Sequence, residues 1–187
     1  MNFTYRNASE LILSELQQSL LSIDETQIQT FVKEIQNADK VFVVGVGRVL
    51  LALQTFVKRL NHLGIPAYYV GQLDEPAIGE NDLLIVGSGS GESVVPVAIT
   101  KVATKYNPRI VHIGSNMQST VTSMSVAQVR IPCRTKLNLP DEIASNQPMS
   151  SLFEQSLMLL LDAVSLMLVR DQNIHLPDLW KQHANLE

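Results

Sequence analysis

Hydrophobic and polar residues follow a helical period in the first part of the chain. Residues 7–21 predict one helix, and the next segment has four apolar residues at the i, i+3, i+4, i+7 spacing of a single helix face. These four are Ile28, Phe31, Val32 and Ile35. Asp24 precedes them and is the predicted N-cap of the second helix. The N-terminal part of the chain is therefore predicted to form two helices.

From residue 40 onward, short apolar runs alternate with further helical segments. Five runs have the composition of buried parallel strands, namely KVFVVGVGR (40–48), AYYV (67–70), DLLIVGS (82–88), IVHIGS (110–115) and AQVRIP (127–132). Helices are predicted at 49–63, 94–106 and 149–170, and Pro177 is predicted to open a short last helix. The polar residues 133–148 predict a long loop. This alternation predicts an α/β fold, a parallel sheet with helices on both faces.

Two glycine-containing loops follow predicted strands, GVGRV after the first and GSGSGES after the third. In a parallel sheet both loops lie at the carboxyl edge, where ligands bind. The second loop combines glycines, which allow a ligand to approach the backbone closely, with serine hydroxyls that can donate hydrogen bonds. These residues are Gly87, Gly89 and Gly91, with Ser88, Ser90 and Ser93. Together with the N-terminus of the next helix, they predict a cradle for a phosphate monoester.

Two other phosphate-binding motifs do not fit this loop. No lysine follows Gly91, so the loop is not a P-loop, and its glycines are spaced G-x-G-x-G rather than in the G-x-G-x-x-G order of a dinucleotide fingerprint. The structural alternative is a tight turn between a strand and a helix, with serine caps. Three serines and three glycines are more than capping needs, which favours the phosphate cradle.

Composition narrows the function further. The 187 residues are 45% hydrophobic with a net charge of -4, which suits one globular domain and lacks the basic surface of a nucleic-acid or anionic-membrane binder. Cys133 is the single cysteine, so neither an intrachain disulfide nor a zinc framework is expected. The apolar stretch 157–169 falls short of the roughly 20 residues of a membrane span, and the N-terminus lacks a signal-peptide pattern. We therefore expect a cytoplasmic protein.

Five stretches in order along nearly the whole chain resemble the sugar isomerase (SIS) domain family and, within it, the 6-phospho-3-hexuloisomerases of the ribulose monophosphate pathway. They are GVGR, KRLNHLGIPAYYVG, IVGSGSGES, QPMSSLFEQSLMLLLDAV and HANLE. The resemblance implies a single domain over 1–187, a three-layer α/β/α sandwich with a five-stranded, flavodoxin-like parallel sheet. It also implies a homotetramer with N-terminal helices (1–38) and C-terminal helices (149–187) at the interface. The implied reaction interconverts D-arabino-3-hexulose 6-phosphate and D-fructose 6-phosphate, without metal or cofactor.

The resemblance also implies roles for individual residues. The substrate phosphate would be held by the Gly–Ser loop, that is by Ser88, Gly89, Ser90, Gly91, Glu92 and Ser93. Glu154 would be the proton acceptor, and His183 would reach the site of a neighbouring subunit. From the chemistry alone, a single carboxylate facing the C2–C3 bond can make both proton transfers of an enediol(ate) mechanism. Arg48 is the best candidate to stabilise the enediolate.

Each of these residues has a structural alternative. Glu154 could be a first-turn glutamate stabilised by the helix dipole. Arg48 could form a surface ion pair, and His183 could be an exposed tail residue. His62 and His112 are expected to be structural.

The first glycine loop departs from the family pattern G-x-G-R-S-G. Val49 and Leu50 stand where the family has Ser and Gly, and that Ser contributes to substrate binding in the family. Val cannot donate a hydrogen bond, and losing a bond to a charged group costs about 1.5–3 kcal/mol. Leu50 is expected to crowd the loop. Two alternatives therefore stay open: an isomerase for another ketose or aldose phosphate, and a non-catalytic sugar-phosphate sensor.

The predicted helix 149–170 is apolar on nearly every side. A helix with one face toward solvent does not need this composition. Burial in a subunit interface explains it, and the alternative is a core helix covered entirely within its own chain.

Overall fold

The computed structural model describes residues 2–186, in which the predicted apolar runs form one parallel sheet. Its strands are β1 (Val41–Val44), β2 (Ala67–Tyr69), β3 (Leu83–Gly87), β4 (Arg109–Gly114) and β5 (Ala127–Arg130). They lie in the order β2-β1-β3-β4-β5, and all adjacent pairs are parallel. This is the flavodoxin-like order expected from the sequence. The chain leaves β1 to one side and β3 to the other, so a crevice opens between the carboxyl ends of these two strands.

Six helices and two 3₁₀ turns complete the described residues. The helices are α1 (Tyr5–Leu21), α2 (Glu25–Gln36), α3 (Gly47–His62), α4 (Val94–Ala103), α5 (Thr120–Ser123) and α6 (Ser151–Asp171). The 3₁₀ turns span Thr104–Tyr106 and Leu176–Gln182. Asp24 caps α2 as predicted, since its side chain accepts a hydrogen bond from the Thr26 amide. The sequence analysis missed α5, because a four-residue helix has too few positions to show a period.

The two faces of the sheet bury different amounts of apolar surface. Residues of β1 alternate: Val41 and Val43 face the larger core under α2, α3 and α6, whereas Phe42 and Val44 face a smaller one under α4. Helices therefore cover both faces, which confirms the three-layer α/β/α sandwich. The larger core also anchors α6, whose first turn carries Glu154.

Helix α6 is covered on one side only. It packs against α1 and α3 and buries residues such as Phe153, Leu157 and Leu168, but Leu159 and Leu166 on its other side are 40% and 54% exposed. The alternative of a core helix covered entirely within its own chain is therefore wrong.

Helix α6 has 21 residues, so it is longer than the apolar stretch 157–169, and by length and composition alone it could cross a membrane. Because 56% of that segment is buried inside the chain, it also matches the core helix of a globular domain.

Candidate active site

A cavity of about 820 Å³ opens at the carboxyl ends of β1 and β3. One wall consists of residues 46–49, at the start of α3, and of residues 87–90 and 93 in the Gly–Ser loop. The opposite wall consists of residues 134–136 and 138 and of the segment 145–154, which includes the beginning of α6. The cavity therefore joins both glycine loops to the helix that carries Glu154.

The carbonyl groups of the Gly–Ser loop are held by the end of β4. The Ser88 carbonyl accepts from His112 Nε2 at 2.9 Å, and the Gly89 carbonyl accepts from the amides of Ser115 and Asn116 at 2.9 and 3.1 Å. The Ser90 carbonyl accepts from Asn116 Nδ2 at 3.2 Å. Because each amide points opposite to the carbonyl of the preceding residue, the Gly89 and Ser90 amides face away from β4. Neither amide has an acceptor among residues 2–186.

The serine hydroxyls of this loop differ in the protons they have left to donate. The Ser88 hydroxyl donates to Ser93 Oγ at 3.2 Å, so its proton is already used. The Ser90 hydroxyl accepts from the Glu92 amide, and the Ser93 hydroxyl accepts from Ser88, so both retain a proton for a ligand. Ser93 is the N-cap of α4 but makes no capping bond to it. Amides, hydroxyls and the N-terminus of α4 therefore form a site suited to an anion.

His112 fixes the position of this loop from behind. Its ring is fully buried, and its Nδ1 lies 2.8 Å from the Thr122 hydroxyl. Since the Ser88 carbonyl can only accept, Nε2 carries the proton and Nδ1 accepts from Thr122. Burial lowers the pKa of His112, although its hydrogen bond to Ser88 and the charge of Glu92 oppose this. His112 is thus a neutral structural residue, as the sequence analysis expected.

Two residues of the loop face away from the cavity. The Glu92 carboxylate accepts from the amide and the hydroxyl of Thr120 at 2.6 and 2.8 Å, and these bonds lower its pKa. It therefore caps α5. Gly91 has φ +64°, and a Cβ there would lie 2.0 Å from Ser119 Oγ. Both residues fasten the loop to α5, and neither lines the cavity, so the contact of Gly91 and Glu92 with substrate stays a prediction.

Glu154 and Arg48 meet in the cavity. The Glu154 side chain is 12% exposed, and its Oε2 forms an ion pair with Arg48 Nε. Its Oε1 accepts from the Ser150 hydroxyl at 2.9 Å. Arg48 is 63% exposed and has further N–H donors that can face a substrate. The predicted base and the predicted stabiliser of the enediolate are therefore neighbours, on opposite walls of one cavity.

Val49 lines the cavity between the two glycine loops. Its Cγ1 lies 2.9 Å and 3.2 Å from where a Cβ would stand on Gly87 and Gly45, so the glycines leave room for this side chain. Leu50 is half-buried and does not line the cavity. The expectation that Leu50 crowds the first glycine loop therefore stays a prediction.

His183 lies apart from Glu154 within the chain. It stacks loosely against His62 and Trp180, with ring centroids 5.6 and 5.2 Å apart. Burial lowers the pKa of His62, and the nearby charges of Lys58, Arg59 and His183 lower it further. His183 does not line the cavity of its own chain, so its action in a neighbouring subunit's site stays a prediction.

The sequence analysis missed the residues that the long loop contributes. Arg134, Thr135, Lys136 and Asn138 all line the cavity. Thr135 is held by Glu142, whose carboxylate accepts from the Thr135 amide and hydroxyl at 3.0 and 2.8 Å. The CRTK stretch could have indicated these residues, because it places two positively charged side chains, Arg134 and Lys136, in a polar loop. With Arg48, these cations outnumber the single Glu154 carboxylate, which favours a dianionic ligand.

The chain is similar to known proteins in sequence and in fold. No family model matches the chain. A 3-hexulose-6-phosphate isomerase of Bacillus subtilis is 32% identical over 94% of this chain and 95% of its own length. One of Mycobacterium gastri is 34% identical over 97% and 90%. A crystal structure of a Methanococcus jannaschii protein, from which a 3-hexulose-6-phosphate isomerase function was inferred, aligns with a TM-score of 0.83 at 25% identity, covering 96% and 99% of the two chains. At lower identity, the chain also shares its fold with the sugar isomerase domain of a transcription factor from Sphaerobacter thermophilus.

The fold and the site define a sugar-phosphate isomerase of the sugar isomerase (SIS) class. Within that class, the chain belongs to the 3-hexulose-6-phosphate isomerase family. The resemblance noted in the sequence is thereby confirmed. Among residues 2–186, no three His, Cys, Asp or Glu side chains are grouped closely enough to hold a metal ion.

Proposed function

We propose that this protein interconverts D-arabino-3-hexulose 6-phosphate and D-fructose 6-phosphate through a cis-enediol(ate). One observation supports this most directly: an anion cradle and a sheltered carboxylate lie on opposite walls of one cavity. A ketose phosphate bound by its phosphate at the Gly–Ser loop can then turn its carbon chain toward Glu154. The names of the relatives indicate which ketose phosphate it is.

The proposed reaction moves a carbonyl from C3 to C2. Glu154 removes the proton from C2, and the electrons of that C–H bond form the C2–C3 double bond as the C3 oxygen gains negative charge. Arg48 stabilises this oxygen through its guanidinium group. A proton then passes from the C2 hydroxyl to the C3 oxygen, and Glu154 returns its proton to C3. The atoms balance, and no oxidant or reductant is consumed.

The test compares two first-turn glutamates. Glu154 lies in the first turn of α6, and Glu25 lies in the first turn of α2. Glu154→Gln should lower kcat for 3-hexulose 6-phosphate by about 10²–10⁴-fold, the usual contribution of a general base. Glu25→Gln should change stability by roughly 0.3–1 kcal/mol and leave kcat unchanged. Equal turnover in both variants would contradict the proposed mechanism.

A different substrate is the second candidate function, and Val49 is the observation that favours it. Its apolar side chain occupies the cavity between the two glycine loops. Val49→Ser should raise affinity for the hexulose phosphate by about tenfold or more if a hydrogen bond to a charged group is regained. A wild type that prefers another ketose phosphate would favour the second candidate. Binding of fructose 6-phosphate without turnover would favour a sensor. The Vibrio vulnificus NanR protein, which shares this fold, forms a complex with ManNAc-6P.

We also propose that the protein is a cytoplasmic homotetramer that needs neither metal nor cofactor. The exposed apolar side of α6, with Met158, Leu159 and Leu166, supports burial against another subunit. Phosphorylated sugars are charged and do not cross membranes, which supports a site of action inside the cell. Light scattering would give the mass of the assembly, and we expect turnover to survive a chelator. His183→Asn should lower turnover if this histidine completes a neighbouring subunit's site.

A further inference from the structure

Glu15 of α1 is a buried carboxylate whose hydrogen bonds all go to one distant segment. It is 7% exposed and does not itself line the cavity, although it contacts two residues that do, Ser145 and Gln147. Four donors converge on it: the Ser145 hydroxyl at 2.6 Å, the Asn146 amide at 2.8 Å, Asn146 Nδ2 at 3.4 Å and Gln147 Nε2 at 3.0 Å. Burial acts to raise the pKa of Glu15, but these bonds outweigh it and lower the pKa. Glu15 is therefore ionised at neutral pH.

The segment that Glu15 holds leads directly to Glu154. Residues 145 and 147–151 line the cavity, and α6 begins at Ser151. At the end of this segment the Ser150 hydroxyl donates to the Glu154 carboxylate. A displacement of the segment would therefore disturb the bond that orients the Glu154 carboxylate, as well as the shape of the wall.

The same segment contains a strained turn. Met149 has φ +53°, although its side chain is 94% exposed and no burial holds it in place. A non-glycine residue in this conformation costs about 1 kcal/mol or more and persists only where the surrounding structure imposes it. On one side of Met149, the Ser151 amide and hydroxyl donate to the Pro148 carbonyl at 3.2 and 2.8 Å. On the other side, the Asn146 amide donates to Glu15 at 2.8 Å, and the Gln147 amide donates at 3.1 Å to Ser145 Oγ, whose own proton goes to Glu15.

Anchoring α1 to the core is the simpler explanation of these bonds. However, α1 already packs on α6 through Leu16 and Leu20, which lie against the larger core. The Ser156 hydroxyl of α6 also donates to Ser19 Oγ of α1 at 2.8 Å, so α1 is placed by contacts other than those of Glu15. The segment turns four donors toward this point, and an ionised carboxylate can accept from all of them, whereas a neutral amide could not.

We propose that Glu15 is a positioning residue for Glu154, fixing the 145–150 wall of the cavity so that the base faces the substrate. The proposal rests on the function proposed above. It predicts that loss of Glu15 lowers kcat and leaves KM nearly unchanged, because Glu15 touches the wall next to the base and none of its bonds reaches the Gly–Ser loop.

The test is Glu15→Gln with Glu10→Gln as its matched control. Both glutamates lie on α1, but Glu10 is exposed and pairs only with Arg6. In Glu15→Gln the new amide group meets donors, so one or more bonds are lost without a change of size. We expect kcat to fall about tenfold or more while KM stays within about twofold, since a misplacement near the reacting atoms lowers the rate steeply. Glu10→Gln should match the wild type.

Hydrogen exchange gives a second readout that does not depend on turnover. In Glu15→Gln, the amides of residues 146–154 should exchange faster, and those of residues 87–93 should not change. Ser145→Ala should act in the same direction with a smaller effect, which keeps the test possible if Glu15→Gln does not fold. A wild type inactive on the hexulose phosphate would refute the proposed function, and the exchange data would still decide the role of Glu15 on the wall. Unchanged kcat, a raised KM alone, or faster exchange throughout the chain would each overturn the proposal.

Discussion

The two walls of the cavity are built in different ways. The Gly–Ser loop is tied to the sheet, because residues at the end of β4 and directly after it form hydrogen bonds with the backbone of Ser88, Gly89 and Ser90. In the opposite wall, residues 134–150 have no helix or extended strand. They are held by three carboxylates, Glu15, Glu142 and Asp141, and by backbone bonds of Ile143 to Arg134 and Pro132. One wall thus depends on backbone packing beside a strand, and the other on a few charged hydrogen bonds from side chains.

This difference separates binding from catalysis. The wall that suits the phosphate is the rigid one, and a fixed set of amides favours an anion without reorganising. The wall that carries Glu154 is joined to the core through side chains, so its position can be changed by substitutions far from the cavity. Substitutions in the Gly–Ser loop should therefore act on stability and KM, whereas those in the second wall should act on kcat and on local opening.

The largest effect is expected for Gly91→Ala, which would break the rigid wall. The new methyl group would overlap Ser119, at 2.0 Å from Oγ and 2.4 Å from Cβ, and the residue would keep φ +64°. Backbone strain of about 1–2 kcal/mol and overpacking of about 1–3 kcal/mol should together lower the free energy of unfolding by about 3 kcal/mol. KM should rise as well, because the loop must shift.

Gly64→Ala is the matched control for this prediction. Gly64 has φ +77°, but a Cβ there would meet nothing within 4 Å. Only the strain of about 1–2 kcal/mol should then appear in chemical denaturation. If the two variants lost equal stability, the tight packing of the Gly–Ser loop on α5 would not contribute as argued.

Glu142→Gln should have the next largest effect, on the second wall. Its carboxylate accepts from Thr135 and from the Leu139 amide at 2.9 Å, and Gln can replace only part of this. A loss of about 2 kcal/mol would raise the open population of the loop by roughly 30-fold. Trypsin cleavage after the exposed Arg134 and Lys136 should accelerate to a similar extent, while global unfolding changes little.

Glu75→Gln provides the control, because Glu75 accepts from the Gly71 amide in a loop away from the cavity. It should leave cleavage at Arg134 and Lys136 unchanged. Slow cleavage in Glu142→Gln would mean that the second wall is held by contacts other than this carboxylate.

The contrast between the walls also explains how much the sequence could predict. The five strands, the long helices and the Gly–Ser cradle follow from local patterns: apolar runs, a helical period and glycines next to serines. Glu15 and Glu142 show no such pattern, because their partners become neighbours only after folding. Glu15 lies 130 residues from Ser145 along the chain. Even in the predicted loop, the orientations of Gly91 and Glu92 depended on α5, which is too short to predict.

The pH dependence of stability should sharpen the contrast further. Burial lowers the pKa of His112, so below its ordinary value of 6.5 the unfolded chain binds a proton that the native state does not. Stability is therefore lost as the pH falls from about 6.5 toward the lower pKa of the folded state. His112→Gln should cost about 1 kcal/mol at pH 7.5 and make the decline between pH 6.5 and 5 shallower, as measured by urea denaturation.

His62→Gln tests whether an effect on KM is specific to the Gly–Ser loop. Burial also lowers the pKa of His62, so this variant should flatten the same decline. Of the two variants, only His112→Gln should raise KM, because His112 donates to the Ser88 carbonyl and His62 does not. An unchanged KM in His112→Gln would show that the cradle keeps its shape without this bond.

The smallest effect is expected for Lys136→Gln. Lys136 is exposed and lines the wall opposite the cradle, so it should attract the phosphate through solvent rather than bind it directly. Affinity for fructose 6-phosphate should fall about threefold at low salt, and the difference should vanish at high salt, as for other exposed charges. Lys105→Gln, in the 3₁₀ turn after α4, should have no effect on affinity. A loss of more than about tenfold that persisted at high salt would mean that Lys136 contacts the phosphate, and the second wall would then bind substrate as well as carry the base.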